Sequence, residues 1–366
     1  IPLRLVGSEM CIRDRDISVC IITKNEADKL EKCLLSLKKY NLEIVVVDTG
    51  STDNTSVIID KYADISGNYK WCDDFSKARN YSISLAGNDW ILVLDSDEWI
   101  EKMNIDEVSA IISNQSAICT GKIELINNIN YDNELTRGVE RITRLFNRKQ
   151  CHYEGRIHEQ VVSIDKNIVT AVDVPITVGH SGYMGSVDNK KKKAERNIRL
   201  LELELKENGQ DAYIYYQLGK SYYMQGDYKN ASGNFEKGLS FDLDPKLEYV
   251  QDMVETYGYS LLNEKRIPEM MFLQNIYSEF AVSADYVFLM GLAYMNNGLF
   301  DKAIEEFNKA KSYKLCKIDG CNSYKADYNI GVIYECLGDT AKAVLSYKKC
   351  QSYEPALKGL KRLGCN

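Results

Sequence analysis

Short apolar runs alternate with amphipathic segments along the first hundred residues. Three runs have the aliphatic character of buried strands, at residues 17–22, 43–47 and 90–94. Between and around them, the segments 25–40, 55–62 and 74–86 carry apolar residues at helical spacing among charged ones. Because strand and helix alternate, the pattern predicts an α/β domain on a mainly parallel sheet.

Polar residues follow each predicted strand, at 23–26, 48–53 and 95–98. The carboxyl ends of parallel strands meet at one edge of the sheet, where ligands of such folds bind. We therefore expect these three polar segments to form a binding site.

The next region has a different pattern. From 121 to 178 the chain alternates short strand-like runs with polar turns, and all three histidines lie in it or just after it. The lysine run at 190–193 opens a predicted helix that continues to about residue 207, and such a run is ordinarily a solvated helix face. We expect His152, which has no motif around it, to be structural.

From residue 211 the chain is helical in pattern and rich in tyrosine. Three segments repeat the same spacing of a glycine and an aromatic residue, namely Gly219 with Phe235, Gly291 with Phe307, and Gly331 with Tyr347. Tyr257-Gly258 lies between the first two copies and indicates a degenerate copy. The pattern resembles the tetratricopeptide repeat, whose period is about 34 residues. A plain helical bundle is the alternative.

Composition and charge narrow the classes of protein that fit. The hydrophobic content of 45% and charged content of 27% are ordinary for a soluble globular chain, and the formal net charge of −7 argues against a general nucleic-acid binder. No apolar run reaches the roughly 18 residues that cross a bilayer. The eleven cysteines lack zinc-finger spacing and are interpreted as reduced thiols, so we expect a cytoplasmic protein.

Residues 1–15 lack the continuous apolar core of a signal peptide. They resemble translated adapter sequence more than the start of a fold. We therefore leave them out of the fold prediction.

Two carboxylates, Asp95 and Asp97, close the third predicted strand. Carboxylates two residues apart at a strand end suit a hard divalent ion, Mg²⁺ or Mn²⁺, that also binds phosphate oxygens. Such an ion would neutralise the charge that develops on a departing diphosphate. Most Asp-x-Asp pairs are surface turns, but the buried strand before this one favours an ion site. The glycine-rich loops of P-loop proteins and dinucleotide-binding proteins are missing from the sequence.

Residues 17–100 resemble the nucleotide-binding half of family 2 glycosyltransferases with the GT-A fold. Four motifs in order carry the resemblance, SVCIITKNE at 18–26, VDTGSTD at 47–53, FSKARN at 75–80 and LDSDE at 94–98. It continues more weakly to about residue 185. Joined to tetratricopeptide-like repeats, the chain also resembles the bacterial enzymes that glycosylate peptide cysteines in glycocins.

The resemblance implies roles in binding the nucleotide sugar. Thr23 and Glu26 would contact the nucleoside, and Asp48 would hydrogen-bond the uracil or its ribose. Arg79 would lie near the diphosphate or the sugar, since a guanidinium matches phosphate geometry. Asp95 would approach the ribose or the metal. A turn or helix cap for Asp48 and a surface ion pair for Arg79 are the simpler alternatives.

The resemblance also implies a metal site and a catalytic base. Asp97 would be the principal metal ligand, and His180 would complete the site. Glu159, in the segment 155–159, would be the general base of an inverting transfer. The alternative for His180 is a structural histidine. The alternative for Glu159 is a carboxylate at the start of a helix.

Together these observations predict a GT-A (Rossmann-like) α/β domain at 16–188, a connecting helix at 189–210 and an all-α repeat domain at 211–366. The predicted activity is metal-dependent inverting transfer from a nucleotide sugar, a UDP-sugar in the first instance, to a peptide, protein or glycan acceptor. The repeats would position the acceptor or build a homodimer. The alternatives are a catalytically inactive binding scaffold and a nucleotidyltransferase.

Overall fold

The computed structural model describes residues 16–113, 119–131, 134–167, 169–180 and 187–365. The first fifteen residues, which the sequence sets apart, lie outside this range. The chain divides into two compact units, Ile1–Lys190 and Lys191–Asn366. The first is built on a mixed sheet and the second is helical, which confirms the predicted order of fold classes.

The described part of the first unit contains ten strands and four helices. The strands are β1 Ile17–Thr23, β2 Glu43–Asp48, β3 Ile65–Asn68, β4 Trp90–Asp95, β5 Glu98–Met103, β6 Cys119–Tyr131, β7 Glu134–Asn147, β8 Cys151–Glu154, β9 Gln160–Ser163 and β10 Thr170–His180. The helices are α1 Ala27–Leu37, α2 Thr55–Tyr62, α3 Phe75–Leu85 and α4 Ile105–Ser113.

The main sheet has eight strands in the order β3-β2-β1-β4-β7-β6-β10-β5, and β8 pairs with β9 separately. β1 is parallel to both β2 and β4, so Thr23 lies opposite Asp48 and Ile22 opposite Asp95. The three strands therefore deliver their polar ends to one edge, as the sequence predicts.

The second half of the sheet differs from the mainly parallel arrangement that the pattern predicts. β7 is antiparallel to both β4 and β6, and β5 is antiparallel to β10. The region of predicted short strands contains two such strands, β8 and β9, but begins with two long strands of 13 and 14 residues that pair with each other. Alternation of apolar and polar residues marks strands but does not reveal that successive runs belong to one long strand.

The core of this unit lies on both faces of the sheet. All seven residues of β1 are buried, as expected for a central strand covered on both sides. On one face, α1 packs its buried stripe of Leu30, Cys33, Leu34 and Leu37 into the apolar cluster around β1. This packing fixes the strands whose ends carry the polar residues.

The described part of the second unit consists of helices. They are α5 Val187–Asn208, α6 Ala212–Met224, α7 Tyr228–Leu239, α8 Glu248–Asn263, a 3₁₀ helix Ile267–Met271, α9 Phe272–Asn275, α10 Tyr277–Phe280, α11 Ala284–Asn296, α12 Phe300–Ala310, α13 Tyr324–Cys336, α14 Thr340–Lys349 and α15 Glu354–Arg362. The helix α8 contains Tyr257-Gly258, and only short helices follow it before α11. No helix among the described residues has the length and apolar character to cross a bilayer.

Each complete helical hairpin closes over a glycine. The aromatic ring of the second helix lies where a Cβ of that glycine would stand, and the pairs are Gly219 with Phe235, Gly291 with Phe307, and Gly331 with Tyr347. All three aromatic side chains are fully buried. The repeated tyrosine, phenylalanine and glycine positions are therefore packing positions, and the hairpins α6–α7, α11–α12 and α13–α14 use the same contact.

Replacing Gly291 with alanine should destabilise the repeat unit by about 1–3 kcal/mol, because the new Cβ would stand 2.7 Å from Cε1 of the buried Phe307 ring. Gly233→Ala is the matched control in α7, since nothing lies within 4 Å of its added Cβ. That variant should gain stability by up to about 1 kcal/mol from helix propensity alone. Urea unfolding followed by helical circular dichroism measures both. Equal midpoints for the two variants would contradict the packing role.

Candidate active site

The ends of β1 and β2 are held together by hydrogen bonds. The backbone N–H and the hydroxyl of Thr49 both donate to the Thr23 carbonyl, at 3.0 and 2.9 Å. The Asp48 carboxylate accepts the backbone N–H groups of Gly50 and Ser51 at 2.9 and 2.8 Å. Gly50 takes φ +107°, a conformation that glycine adopts without strain. The turn after β2 is therefore a rigid loop with Asp48 at its centre.

The side chains of Thr23 and Glu26 face this edge in different ways. The Thr23 hydroxyl is buried and has no hydrogen-bond partner among the described residues, which is costly unless a ligand or water supplies one. The Glu26 carboxylate accepts from the Ser96 hydroxyl at 3.0 Å and pairs with Lys29 at 3.0 Å. Glu26 thereby joins the loop after β1 to the loop after β4.

Arg79 is the centre of a buried ion cluster. Its Nη2 donates to Asp95 Oδ1 at 2.7 Å and its Nε to Glu159 Oε1 at 2.5 Å. The Arg79 side chain is 6% exposed and that of Glu159 is 11% exposed. This is a buried pair of contacts, so the alternative of a surface ion pair does not describe Arg79. The guanidinium links a residue after β4 to the loop between β8 and β9.

A second buried arginine, Arg144 on β7, completes the cluster. Its Nη2 donates to Asp95 Oδ2 at 2.8 Å and to Glu98 Oε1 at 3.1 Å. Burial raises the pKa of Asp95, but the two guanidiniums outweigh it and hold that pKa well below its ordinary value. At Glu98 burial outweighs Arg144 and raises the pKa to about 7. Asp95 is therefore held in its ionised form, whereas the raised pKa of Glu98 makes its ionised form less favourable.

Three buried donors around this cluster have no partner among the described residues. They are Nη1 of Arg79, Nε of Arg144 and the hydroxyl of Tyr153, whose ring lies 5.5 Å from the Arg79 guanidinium carbon. Buried polar groups are almost always satisfied in native proteins. Unsatisfied donors beside a strand-end edge are a feature of sites that bind polar ligands or ordered water.

Asp97 and His180 lie next to this cluster. His180 Nε2 is 3.5 Å from Asp97 Oδ2, and His180 Nδ1 is 2.7 Å from Asn127 Oδ1. Burial lowers the pKa of His180, but the hydrogen bond to Asp97 outweighs it and raises that pKa. The same contact outweighs burial at Asp97 and lowers the pKa of its carboxyl.

The chemistry of this pair fits a divalent ion such as Mn²⁺. An imidazole nitrogen and a carboxylate oxygen facing each other are suitable ligands, and a ligand diphosphate would supply further oxygens. The described residues contain no group of three or more histidine, cysteine, aspartate and glutamate side chains arranged to hold a metal. Asp97 and His180 would supply one carboxylate and one imidazole ligand to the coordination shell.

The structure gathers the predicted residues into three neighbouring groups. Thr23 and Asp48 end the first two strands, with Glu26 in the loop after the first; Arg79, Asp95 and Glu159 form the ion cluster; and Asp97 and His180 form the candidate metal pair. Of the other histidines, His152 contacts Glu154 at 3.1 Å. The roles of all eight residues in binding and catalysis stay predictions.

Sequence reasoning missed Arg144 and Asn127 as members of the site. It included Glu98 in the polar segment 95–98 but gave that residue no role of its own. Arg144 and Asn127 lie inside the long strands β7 and β6, far along the chain from the residues they contact. Only the register of the sheet brings them to this edge.

Comparison with known proteins agrees with this geometry. Residues 18–163 match the family model described as "Glycosyl transferase family 2". Residues 212–245, 284–315 and 324–357 match the tetratricopeptide repeat. The chain thus combines a region similar to family 2 glycosyltransferases with a region similar to tetratricopeptide repeats. The matched repeats coincide with the three hairpins that close over a glycine.

Curated relatives each match part of the chain. A TPR repeat-containing protein of Synechococcus elongatus is 32% identical over 235 residues, which is 61% of this chain and 56% of the relative. The SPbeta prophage-derived glycosyltransferase SunS of Bacillus subtilis is 34% identical over 191 residues, 51% of this chain and 44% of the relative. An uncharacterized glycosyltransferase of Rickettsia bellii is 31% identical over 158 residues, 40% of this chain and 53% of the relative.

The chain thus spans about half the length of the curated relatives it matches.

Among solved structures, the chain is similar to YrrB, described as a TPR protein with an unusual peptide-binding site. The two are 23% identical, and the match covers 47% of this chain and 86% of the YrrB chain with a TM-score of 0.40. The residues that match the glycosyltransferase model begin in β1 and contain most of the candidate site; His180 lies beyond them.

Proposed function

We propose that this protein is an inverting glycosyltransferase that moves a sugar from a nucleotide sugar to an acceptor with the help of a divalent metal ion. The family match over residues 18–163 is the observation that carries the proposal. The grouping of Asp97 with His180 and of Arg79 with Asp95 and Glu159 at one sheet edge supports it.

Donor binding would use the ends of β1 and β2. The unpartnered Thr23 hydroxyl and the oriented Asp48 carboxylate offer a donor and an acceptor for the polar edge of a nucleoside. A uracil base and its ribose present both kinds of group, and a UDP-sugar is therefore the first donor to test. Arg79 would act on the donor mainly through Asp95, because two of its nitrogens are already engaged.

Asp97 and His180 would hold the ion together with the oxygens of the donor diphosphate. The bound ion would neutralise charge on the leaving group. Asp97 is 18% exposed and His180 15% exposed, so both remain accessible from this edge while most of each side chain is packed. The packing keeps the two ligands in place before the donor arrives.

Glu159 would remove the acceptor proton as the acceptor attacks the anomeric carbon. Its Oε1 is fixed by Arg79, whereas no described residue donates to its Oε2. A carboxylate held by one oxygen leaves the other for a proton transfer of defined direction. The breaking bond joins the anomeric carbon to the diphosphate oxygen, and the proton passes from the acceptor to Glu159.

The acceptor would be a peptide, a protein or a glycan, and the repeat unit would position it or hold a second copy of the chain. Tetratricopeptide arrays present extended surfaces suited to protein partners. The resemblance to the bacterial enzymes that glycosylate peptide cysteines makes a peptide the first acceptor to test. A thiol and a hydroxyl side chain are both candidates for the attacking group.

Removal of the divalent ion tests the proposed function directly. The purified protein should release UDP from at least one UDP-sugar in the presence of Mn²⁺, and chelation should lower that rate at least about tenfold, because the leaving group then departs without its counter-charge. Readdition of Mn²⁺ should restore it. Release of nucleotide is measured across a panel of nucleotide sugars, and mass spectrometry of candidate peptides detects the transferred sugar.

The proposal would be contradicted if the protein showed no turnover and bound no nucleotide across the whole panel. Nucleotide binding without turnover would instead match a catalytically inactive scaffold. Unchanged turnover after chelation would leave glycosyl transfer standing and remove the metal from it.

A further inference from the structure

A chain of three side chains leads from the surface of the sheet to the candidate metal pair. Asn127 on β6 stands in register with His180 on β10, and its side chain is buried with 3% exposure. Asn127 Oδ1 lies 2.7 Å from His180 Nδ1. Asn127 Nδ2 donates to Glu140 Oε1, on β7, at 3.0 Å. The amide therefore has a polar partner at each end.

The direction of these hydrogen bonds follows from the chemistry of the outermost group. An ionised carboxylate only accepts, so Glu140 requires the NH₂ end of Asn127. The amide oxygen must then face His180, and that oxygen also only accepts. Nδ1 of His180 is consequently the nitrogen that carries the proton. In the imidazolium both nitrogens donate, Nδ1 to Asn127 and Nε2 to Asp97 at 3.5 Å. A metal ion bound by His180 and Asp97 would take the place of the Nε2 proton, while the Nδ1 proton stays hydrogen-bonded to Asn127.

We propose that Asn127 and Glu140 are positioning residues that hold His180 in the tautomer and ring orientation that bind a metal ion through Nε2. The proposal rests on the metal-dependent function proposed above. It adds two residues to the site that touch neither the ion nor the substrate and act through His180.

The contact with Asn127 restricts the tautomer and the orientation of the His180 ring. A free imidazole can carry its proton on either nitrogen and can turn about its side-chain torsions, so only part of the population presents Nε2 as a ligand. A fixed acceptor at Nδ1 removes both freedoms. Hydrogen-bond partners behind a metal-binding histidine typically change metal affinity by about 10–100-fold.

Metal affinity tests the proposal without any turnover. Mn²⁺ binding is measured by the electron paramagnetic resonance signal of the free ion, with UDP present to supply the diphosphate oxygens. Asn127→Ala should weaken Mn²⁺ binding by about 10–100-fold. Asp97→Ala, which removes a direct ligand, should weaken it at least as much.

Glu124→Ala is the matched control. Glu124 also lies on β6 and accepts a hydrogen bond from the Thr177 hydroxyl of β10 at 3.1 Å, three residues before the Asn127–His180 contact. It breaks a comparable contact between the same two strands but leaves His180 untouched, so Mn²⁺ affinity should stay within about twofold of the unsubstituted protein. A comparable loss in the control would assign the effect to the strand pair and overturn the proposal.

A double variant reverses the hydrogen-bond partners and should rescue binding. Asn127→Asp alone places a carboxylate against Glu140 and should weaken Mn²⁺ binding. Combining it with Glu140→Gln restores a donor opposite an acceptor, while residue 127 still accepts the proton of His180 Nδ1. The double variant should regain most of the lost affinity. If the double variant is folded and does not regain affinity, the proposed positioning role of Asn127 and Glu140 is contradicted.

The tautomer can also be observed in the metal-free protein. Three histidines in the whole chain make the imidazole ¹⁵N spectrum simple to assign. In the Asp97→Ala variant, where no carboxylate at residue 97 competes for the Nε2 proton, His180 should show its proton on Nδ1 at pH 9, and adding Asn127→Ala should convert it to a mixture. A proton on Nε2 in Asp97→Ala with Asn127 intact would overturn the positioning role whatever the catalytic function.

The outcomes separate this inference from the function on which it rests. If Asp97→Ala loses Mn²⁺ and Asn127→Ala binds it as tightly as the unsubstituted protein, the positioning role is wrong and the metal-dependent function stands. If the unsubstituted protein binds no Mn²⁺ with UDP present, both proposals fall.

Discussion

Replacing Glu159 with glutamine should lower kcat for transfer to a hydroxyl acceptor by about 10²–10⁴-fold, the usual contribution of a general base. Glutamine keeps the size of the side chain, and its amide oxygen can still accept the hydrogen bond from Arg79 Nε. The amide nitrogen then occupies the place of Oε2 and cannot take a proton. Donor affinity should change little, because the loss is confined to the chemical step. Steady-state transfer kinetics with a saturating donor measure it.

The nature of the acceptor should change the size of this loss. A cysteine thiol ionises with an ordinary pKa near 8.5, whereas a hydroxyl keeps its proton until attack begins. The loss in Glu159→Gln should therefore be smaller for a thiol acceptor and should shrink further as the pH rises. A matched pair of peptides with serine and cysteine at the same position makes the comparison.

Glu154→Gln provides the control for this experiment. Glu154 is on β8, its side chain is 62% exposed, and it contacts His152 and not the ion cluster. Its kcat should match that of the unsubstituted protein. An unchanged kcat in Glu159→Gln with a hydroxyl acceptor would remove Glu159 from the role of base.

Replacing Arg79 with alanine should destabilise the first unit by about 3–5 kcal/mol. The substitution would leave the Asp95 and Glu159 carboxylates packed at the sheet edge without the cation they share, and breaking a buried ion pair from one side is strongly destabilising. Arg79→Lys should also lose stability, because a single ammonium cannot reproduce the fork that bonds Asp95 through Nη2 and Glu159 through Nε. Activity should fall in both variants as Glu159 loses its fixed orientation.

The tryptophans allow this unit to be followed by itself. All three of them, Trp71, Trp90 and Trp99, belong to the first unit, so urea unfolding monitored by their fluorescence reports on it alone. Arg141→Ala is the control, since its ion pair with Asp173 on the same sheet is exposed at both side chains. That variant should show little change in midpoint. Equal midpoints for Arg79→Ala and Arg141→Ala would contradict a structural role for the buried cluster.

The sequence could predict the parts of the site that follow strands. The apolar runs of β1, β2 and β4 mark where each strand ends, and Thr23, Asp48 and Asp95 come at those ends. Parallel pairing then places them at one edge without further information. The repeats can also be predicted from the sequence, because each hairpin needs a small residue opposite a large ring at a fixed spacing.

The remaining parts depend on pairings that no local pattern contains. Arg144 reaches Asp95 because β7 lies antiparallel beside β4, and Asn127 reaches His180 because β6 and β10 are neighbours in register. Within their own strands both are ordinary polar residues among alternating ones. No local pattern shows that Arg79 contacts both Asp95 and Glu159, since Glu159 comes 80 residues later in the chain.

The three glycine–aromatic contacts that close the hairpins of the repeat unit each lie inside a single hairpin. Gly219 meets Phe235, and Gly291 meets Phe307, within one pair of consecutive helices in each case. Duplication or deletion of a whole hairpin during evolution would therefore carry the glycine and its aromatic partner together. The array can change in length, and so in the reach of its surface, without any new compensating substitution at these contacts.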